Sequence, residues 1–219
     1  MSGTPFDRAL RGGPHCVLEL AGGERIIMPV ARWRADPDAA DELLLARCAG
    51  PTLDVGCGPG RLAAALTSRG VPTLGIDVSA VAVRQTRKRG AAALRRDVFD
   101  RLPGEGRWRH VLLADGNVGI GGDPRQLLRR IAELLDRRGS ALVEVDPPGV
   151  GLRRQQARLA TGTGWFPWAR LGADAIATQA AAAGFTPRWR AEYAGRWFVE
   201  LVPHRGVTDD ATGAADGSR

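Results

Sequence analysis

Along this chain the apolar residues switch between short continuous runs and a helical period, and the order of switching predicts alternating strands and helices. Runs at 52–55, 73–77, 92–96, 110–115 and 140–146 are bounded by Gly, Pro or Asp and predict five buried strands, the third of them weak. Between them, 61–68 predicts a helix closing at Gly70, and Ser79 predicts the cap of a second one. The clearest helix is expected over 123–137. Leu127, Leu128, Ile131, Leu134 and Leu135 share one face, Asp123 suits the N-cap, Pro124 the first helical position, and Gly139 a left-handed residue past the end. An earlier helix opens at Asp36-Pro37-Asp38 and runs to about Cys48, where Gly50-Pro51 stops it.

The two ends of the chain read differently. Residues 16–20 and 25–30 flank Gly22-Gly23 and predict a β-hairpin behind a loose arm. After a long connection over 149–172, a helix is expected at 174–183, ended by Gly184. Strands at 187–193 and 196–202 follow, with so short a turn around Gly195 that they must be antiparallel. Alternating strands and helices imply an α/β fold, a parallel sheet covered on both faces. The expected organisation is an N-terminal arm and hairpin over 1–37, one domain over 38–204, and a disordered tail over 205–219.

Composition changes this picture little. The 219 residues are 44% hydrophobic, enough for a core without staples, and the three cysteines Cys16, Cys48 and Cys57 form no CxxC pair. No apolar run approaches the roughly 20 residues of a membrane span and no signal peptide opens the chain, so a cytoplasmic protein without membrane contact is expected. The net charge of +7 rests on arginine, since Lys88 is the sole lysine. The arginines lie in scattered pairs without the aromatic motifs that read RNA, which favours a solvated surface over a nucleic-acid track.

The chemistry concentrates where the first strand of the alternating series meets its helix. In Leu53-Asp-Val-Gly-Cys-Gly-Pro-Gly60, Gly56, Gly58 and Gly60 permit a sharp turn and a close backbone approach to a ligand, and the helix that follows offers free amides to negative charge. The spacing is GxGxG rather than the GxGxxG of dinucleotide sites. Asp77 ends the next strand 23 residues after Asp54, placed to accept the hydroxyls of a ribose. Asp97 ends the third strand 20 residues later, placed to accept from an adenine amino group.

With these residues the sequence resembles the class I S-adenosylmethionine-dependent methyltransferases over about 38–202. The resemblance implies a seven-stranded Rossmann-like sheet, six strands parallel and the last reversed, and S-adenosylmethionine as cofactor. It implies that the loop containing Asp54, Gly56, Cys57, Gly58 and Gly60 wraps the methionine portion. It implies Asp77 on the ribose with Val78 against the adenine, Asp97 on the adenine amino group followed by Val98, and Ala114 where cofactor and acceptor meet.

On the acceptor side the resemblance is nearly silent. Asp146-Pro-Pro-Gly149 is similar to the [D/N]-P-P-aromatic signature of amino-group methyltransferases but lacks the aromatic and follows the fifth strand rather than the fourth. Asp115 and Asn117 leave the fourth strand in a glycine-rich loop, with Asp115 expected to orient the acceptor or take its proton. Arg32, Trp33 and Trp168 come from two segments expected to roof the pocket, 149–172 reading as a lid. His110 begins a strand at the wrong end for catalysis, His204 lies beyond the last strand, and His15 falls in the arm. No metal site is expected, and the oligomeric state is open. The expected function is methyl transfer to a small molecule, with two alternatives: an RNA or protein methyltransferase using the basic surface, or a cofactor-binding protein that transfers nothing.

Overall fold

The structure, a computed structural model, describes residues 4–12, 16–160, 162 and 164–204. The expected tail and His15 lie outside the described residues. A short helix α1 (Asp7–Leu10) precedes a hairpin of β1 (Val17–Leu20) and β2 (Arg25–Ile27), then α2 (Val30–Arg34) and α3 (Ala39–Leu45). Asp38 caps α3 through a reciprocal pair. Its carboxylate accepts the Asp41 N–H at 2.9 Å, and the Asp41 carboxylate accepts the Asp38 N–H at 3.0 Å.

The alternation then follows the sequence pattern: β3 (Thr52–Val55), α4 (Arg61–Ser68), β4 (Thr73–Asp77), α5 (Ala80–Lys88), β5 (Ala92–Arg95) and β6 (Trp108–Leu113). Next, α6 (Pro124–Leu134) begins at the Asp123 cap as expected but ends early, because Leu135 turns extended and opens β7 (Leu135–Val145). Gly139 is therefore a strand residue and not the expected helix terminator. A Cβ there would lie 2.9 Å from the Trp108 carbonyl oxygen, so glycine serves the close approach of β6 and β7.

The segment expected as a lid is a second hairpin, β8 (Leu152–Leu159) and β9 (Phe166–Leu171). Then come α7 (Ile176–Ala181), β10 (Phe185–Tyr193) and β11 (Arg196–Pro203), the last two joined through Ala194 and Gly195 at φ 50° and 77°.

Seven strands form the main sheet in the order β10-β11-β7-β6-β3-β4-β5. The neighbours from β7 to β5 pair parallel, while β11 is antiparallel to both β7 and β10, so six strands run one way and one is reversed. Alternate residues of one strand feed opposite layers. Val111 and Leu113 pack with Leu127 and Ile131 of α6, whereas Leu112 packs with Leu44 of α3 and Leu66 of α4. A smaller sheet, β2-β1-β8-β9, unites the N-terminal hairpin with the later one around Leu18, Leu20, Ala157 and Leu159. Bridges Ile120–Trp168 and Asp146–Gly172 attach it just past the carboxyl ends of β6 and β7.

Candidate functional site

Ligands of open α/β sheets lie beyond the carboxyl ends of the strands, and there this protein has a cavity of about 350 Å³. One wall is the loop between β3 and α4. The Gly56 and Cys57 N–H groups donate to the Ile76 carbonyl at 2.9 and 3.0 Å, pinning the loop to β4. Asp77 completes the tie, its carboxylate accepting from the Gly58 N–H at 3.0 Å and the Ser79 N–H at 2.7 Å. Gly58 sits at φ 53° with no atom within 4 Å of where a Cβ would stand, leaving a backbone cradle open to a ligand.

Asp54, Gly56, Cys57, Gly58, Asp77, Val78, Asp97, Val98 and Ala114 all line this cavity. Gly60 does not; it lies against α5, where a Cβ would come within 2.7 Å of the Thr86 Cα. Cys57 borders the cavity, but its thiol turns inward against Thr86 at 3.5 Å and burial raises its pKa. Asp97 is exposed and accepts the Phe99 N–H at 3.0 Å.

The carboxylates carry the electrostatics. Burial raises the Asp54 pKa to about 7, with repulsion from Asp115 and Asp77 adding to it. No ion pair to Asp54 occurs among the described residues. Burial raises Asp77 as well, against the two backbone N–H groups that lower it. An unpaired buried carboxylate beside an open cradle suits a cationic ligand.

At the other end stand Asp115, Asn117, Trp33 and Trp168. Asp115 adopts φ 54°, a left-handed conformation that aspartate tolerates. One carboxylate oxygen accepts from Arg32 at 2.6 Å and the other from Arg61 at 2.6 Å. Arg32 is thus held on Asp115 and is not itself among the lining residues. Asn117 Nδ2 donates to the Val55 and Gly56 carbonyls at 2.9 and 3.0 Å, locking the loop after β6 to the glycine loop.

Beneath this pair lies a charge cluster that sequence reasoning missed. Glu144 of β7 accepts the Asp115 N–H at 2.8 Å and two bonds from Arg196 of β11 at 2.9 Å. Arg196 also reaches Asp41 at 2.9 Å and Asp38 at 3.0 Å, and Arg61 pairs with Asp41. The available signal was an acid and an arginine within apolar strand runs, Leu-Val-Glu144-Val and Arg196-Trp-Phe-Val. Phe166, from the aromatic stretch Trp165-Phe-Pro-Trp168 of the expected roof, lines the cavity beside Trp168, and Phe6 and Met28 line it without having been anticipated.

The remaining sequence candidates fall elsewhere. His110 is buried in β6 against the Ser140 hydroxyl at 3.0 Å, and burial lowers its pKa. Asp146 pairs with Arg170 at 2.8 Å. Neither lines the cavity.

Comparison with known proteins agrees with this fold. The family described as methyltransferase domain matches residues 52–139. A SAM-dependent methyltransferase from Bacteroides fragilis, solved with S-adenosyl-L-homocysteine, aligns with a TM-score of 0.75 at 19% identity, over 92% of this chain and 95% of that one. The 1,6-didemethyltoxoflavin-N1-methyltransferase of Burkholderia thailandensis aligns at 0.59 and 19% identity, over 76% of each chain. The CcbJ methyltransferase of Streptomyces caelestis aligns at 0.60 and 17% identity, over 79% of this chain and 92% of that one. The matched segment carries β3 to β6 with the glycine loop and both strand-end aspartates, the part of the chain whose motifs resemble the class I S-adenosylmethionine-dependent methyltransferases.

Proposed function

We propose that the protein transfers the methyl group of S-adenosylmethionine to a small molecule held in the same cavity. The observation that carries this reading is the continuity of one cavity from the glycine loop and Asp77 to Asp115 and Trp168. The B. thailandensis neighbour was solved with bound 1,6-didemethyltoxoflavin and S-adenosylhomocysteine. The open cradle at Gly58 and the unpaired Asp54 fit the cofactor.

In this reading Asp77 accepts the ribose hydroxyls, Asp97 the adenine amino group, Val78 and Val98 flank the base, and Ala114 adjoins the reacting centre. Asp54 and the backbone of Gly56, Cys57 and Gly58 hold the methionyl part, and Gly60 sets the loop on α5. The cofactor supplies an electrophilic methyl on a sulfonium, so the protein's task is alignment and exclusion of water. Asp115, clamped by two guanidiniums, is assigned to ordering the acceptor wall with Arg32 rather than to removing a proton, because protonation would break both pairs. Asn117 fixes that wall to the glycine loop, and Trp33 and Trp168 contact the acceptor.

The test is calorimetric titration of S-adenosylmethionine, followed by release of S-adenosylhomocysteine across a panel of phenols, amines and thiols. Binding with release on at least one class is expected. Binding of NAD instead would overturn the reading, and binding without release on any acceptor would favour a non-transferring protein.

The pKa of Asp54 sets a pH dependence for cofactor binding. A cation beside Asp54 favours its ionised form, so affinity should rise by up to about tenfold per pH unit toward pH 7 and level off above it. Stability responds in the opposite sense. The folded-state pKa lies above the ordinary 3.8, so the folded form binds the extra proton and that contribution is lost as pH rises through about 7. Titrations between pH 5.5 and 8.5 check the first claim, and affinity independent of pH would remove Asp54 from contact with a cationic group.

A further inference from the structure

Four aromatic rings from three separate parts of the chain meet at the acceptor end of the cavity. Phe6, from the segment before α1, stands 5.8 Å from Phe166, 6.3 Å from Trp33 and 6.4 Å from Trp168 between ring centres. Phe166 and Trp168 meet edge to face at 6.2 Å. All four line the cavity. Trp168 stands against the loop after β6, where a Cβ on Gly116, the residue next to Asp115, would lie 4.0 Å from its ring. The Phe6 segment is held in place, since Ser79 donates to the Asp7 carboxylate at 2.6 Å and Gln85 donates to the Leu10 carbonyl at 2.8 Å.

One polar group in this box is unanswered. The indole N–H of Trp33 is buried and has no hydrogen-bond partner among the described residues. A buried donor without a partner is costly and rare in folded proteins. Trp33 lines the cavity, and a small turn of its indole on binding would bring this closed-off N–H onto an acceptor carried by a molecule held there. We propose that the methyl acceptor is a compact planar aromatic molecule bearing a hydrogen-bond acceptor such as a ring carbonyl, stacked in the box of Phe6, Trp33, Phe166 and Trp168 and bonded to the Trp33 N–H. This rests on the methyltransferase reading above.

Aromatic boxes also take ammonium groups, but the details here point away from one. An ammonium offers no acceptor to the Trp33 N–H, and it has no lone pair with which to receive a methyl group. Aromatic contacts of the offset and edge-to-face kind seen among these side chains extend naturally to a flat guest.

The test uses the full chain saturated with S-adenosylhomocysteine, whose own binding is measured first by calorimetry. Three probes of similar size are then titrated: 7-hydroxycoumarin, which is planar with a ring carbonyl; 2-naphthol, planar without one; and decahydro-2-naphthol, its saturated counterpart. The two planar probes should bind at least about fivefold more tightly than the saturated alcohol, and Phe6→Leu should shrink that preference. Trp33→Phe keeps a ring but removes the donor, and should cancel the advantage of 7-hydroxycoumarin over 2-naphthol, about fivefold to tenfold. Equal binding of planar and saturated probes, or an unchanged coumarin-to-naphthol ratio in Trp33→Phe, would overturn the proposal. If S-adenosylhomocysteine itself fails to bind, the methyltransferase reading falls, and the same probes on the free protein still decide the box.

Discussion

Replacing Arg196 by methionine is expected to lower stability by about 3–5 kcal/mol, the cost of removing one partner from a buried ionic cluster. Against a typical total of about 5–15 kcal/mol, that is a large share. Arg196 makes two bonds to Glu144 and others to Asp41 and Asp38, and both Glu144 and Asp41 are buried. With Arg196 gone, Glu144 keeps, among the described residues, only Arg32 at 3.7 Å as a guanidinium partner, and Asp41 only Arg61. The double variant Arg196→Met, Glu144→Met should recover part of the loss, because an apolar pair leaves no uncompensated charge, although the Asp115 N–H then loses its acceptor. Urea denaturation of the single and double variants checks both claims. A loss below about 1 kcal/mol in the single variant would show that the cluster is solvated in a way its burial does not suggest.

Asp77→Ala should weaken S-adenosylmethionine binding by about 1.5–3 kcal/mol, roughly 10- to 150-fold, the scale of hydrogen bonds to a charged group. Two effects combine here. The proposed ribose contact is lost, and the Gly58 and Ser79 N–H groups lose the carboxylate that holds the loop to the end of β4. Asp77→Asn retains one carbonyl oxygen and should cost less. Calorimetry on variants with unchanged circular dichroism separates binding from folding. Unaltered affinity in folded Asp77→Ala would remove the ribose assignment.

The readable parts of this protein are those written in local pattern. The strands at Thr52–Val55 and Thr73–Asp77 and the helix at Arg61–Ser68 match the expected bounds because each is an apolar run cut by Gly or Pro, and such punctuation acts within a few residues. The aspartates at 54, 77 and 97 reach one cavity because parallel strands all end at the same sheet edge. Gly139 misled for a related reason. A glycine after a helix suggests a cap from local conformation alone, whereas here the contact that requires it comes from β6, far away in sequence.

By itself, then, the sequence determined the alternating α/β layout, the antiparallel pair near the end, and the glycine-loop end of the cavity, since these follow from periodicity and from motifs contiguous in the chain. Only the tertiary structure decided the opposite end, around Asp115 and Trp168. The segment 149–172 pairs with the N-terminal hairpin instead of forming a free lid, a choice of sheet partner that no local preference encodes. Phe6 joins Trp33 and Trp168, and Asp115 is clamped by Arg32 and Arg61 over Glu144 and Arg196, through contacts between residues separated by tens to more than a hundred positions. Such contacts depend on which surfaces face each other after folding, and burial then makes ion pairs of side chains that the sequence alone presents as solvated charge.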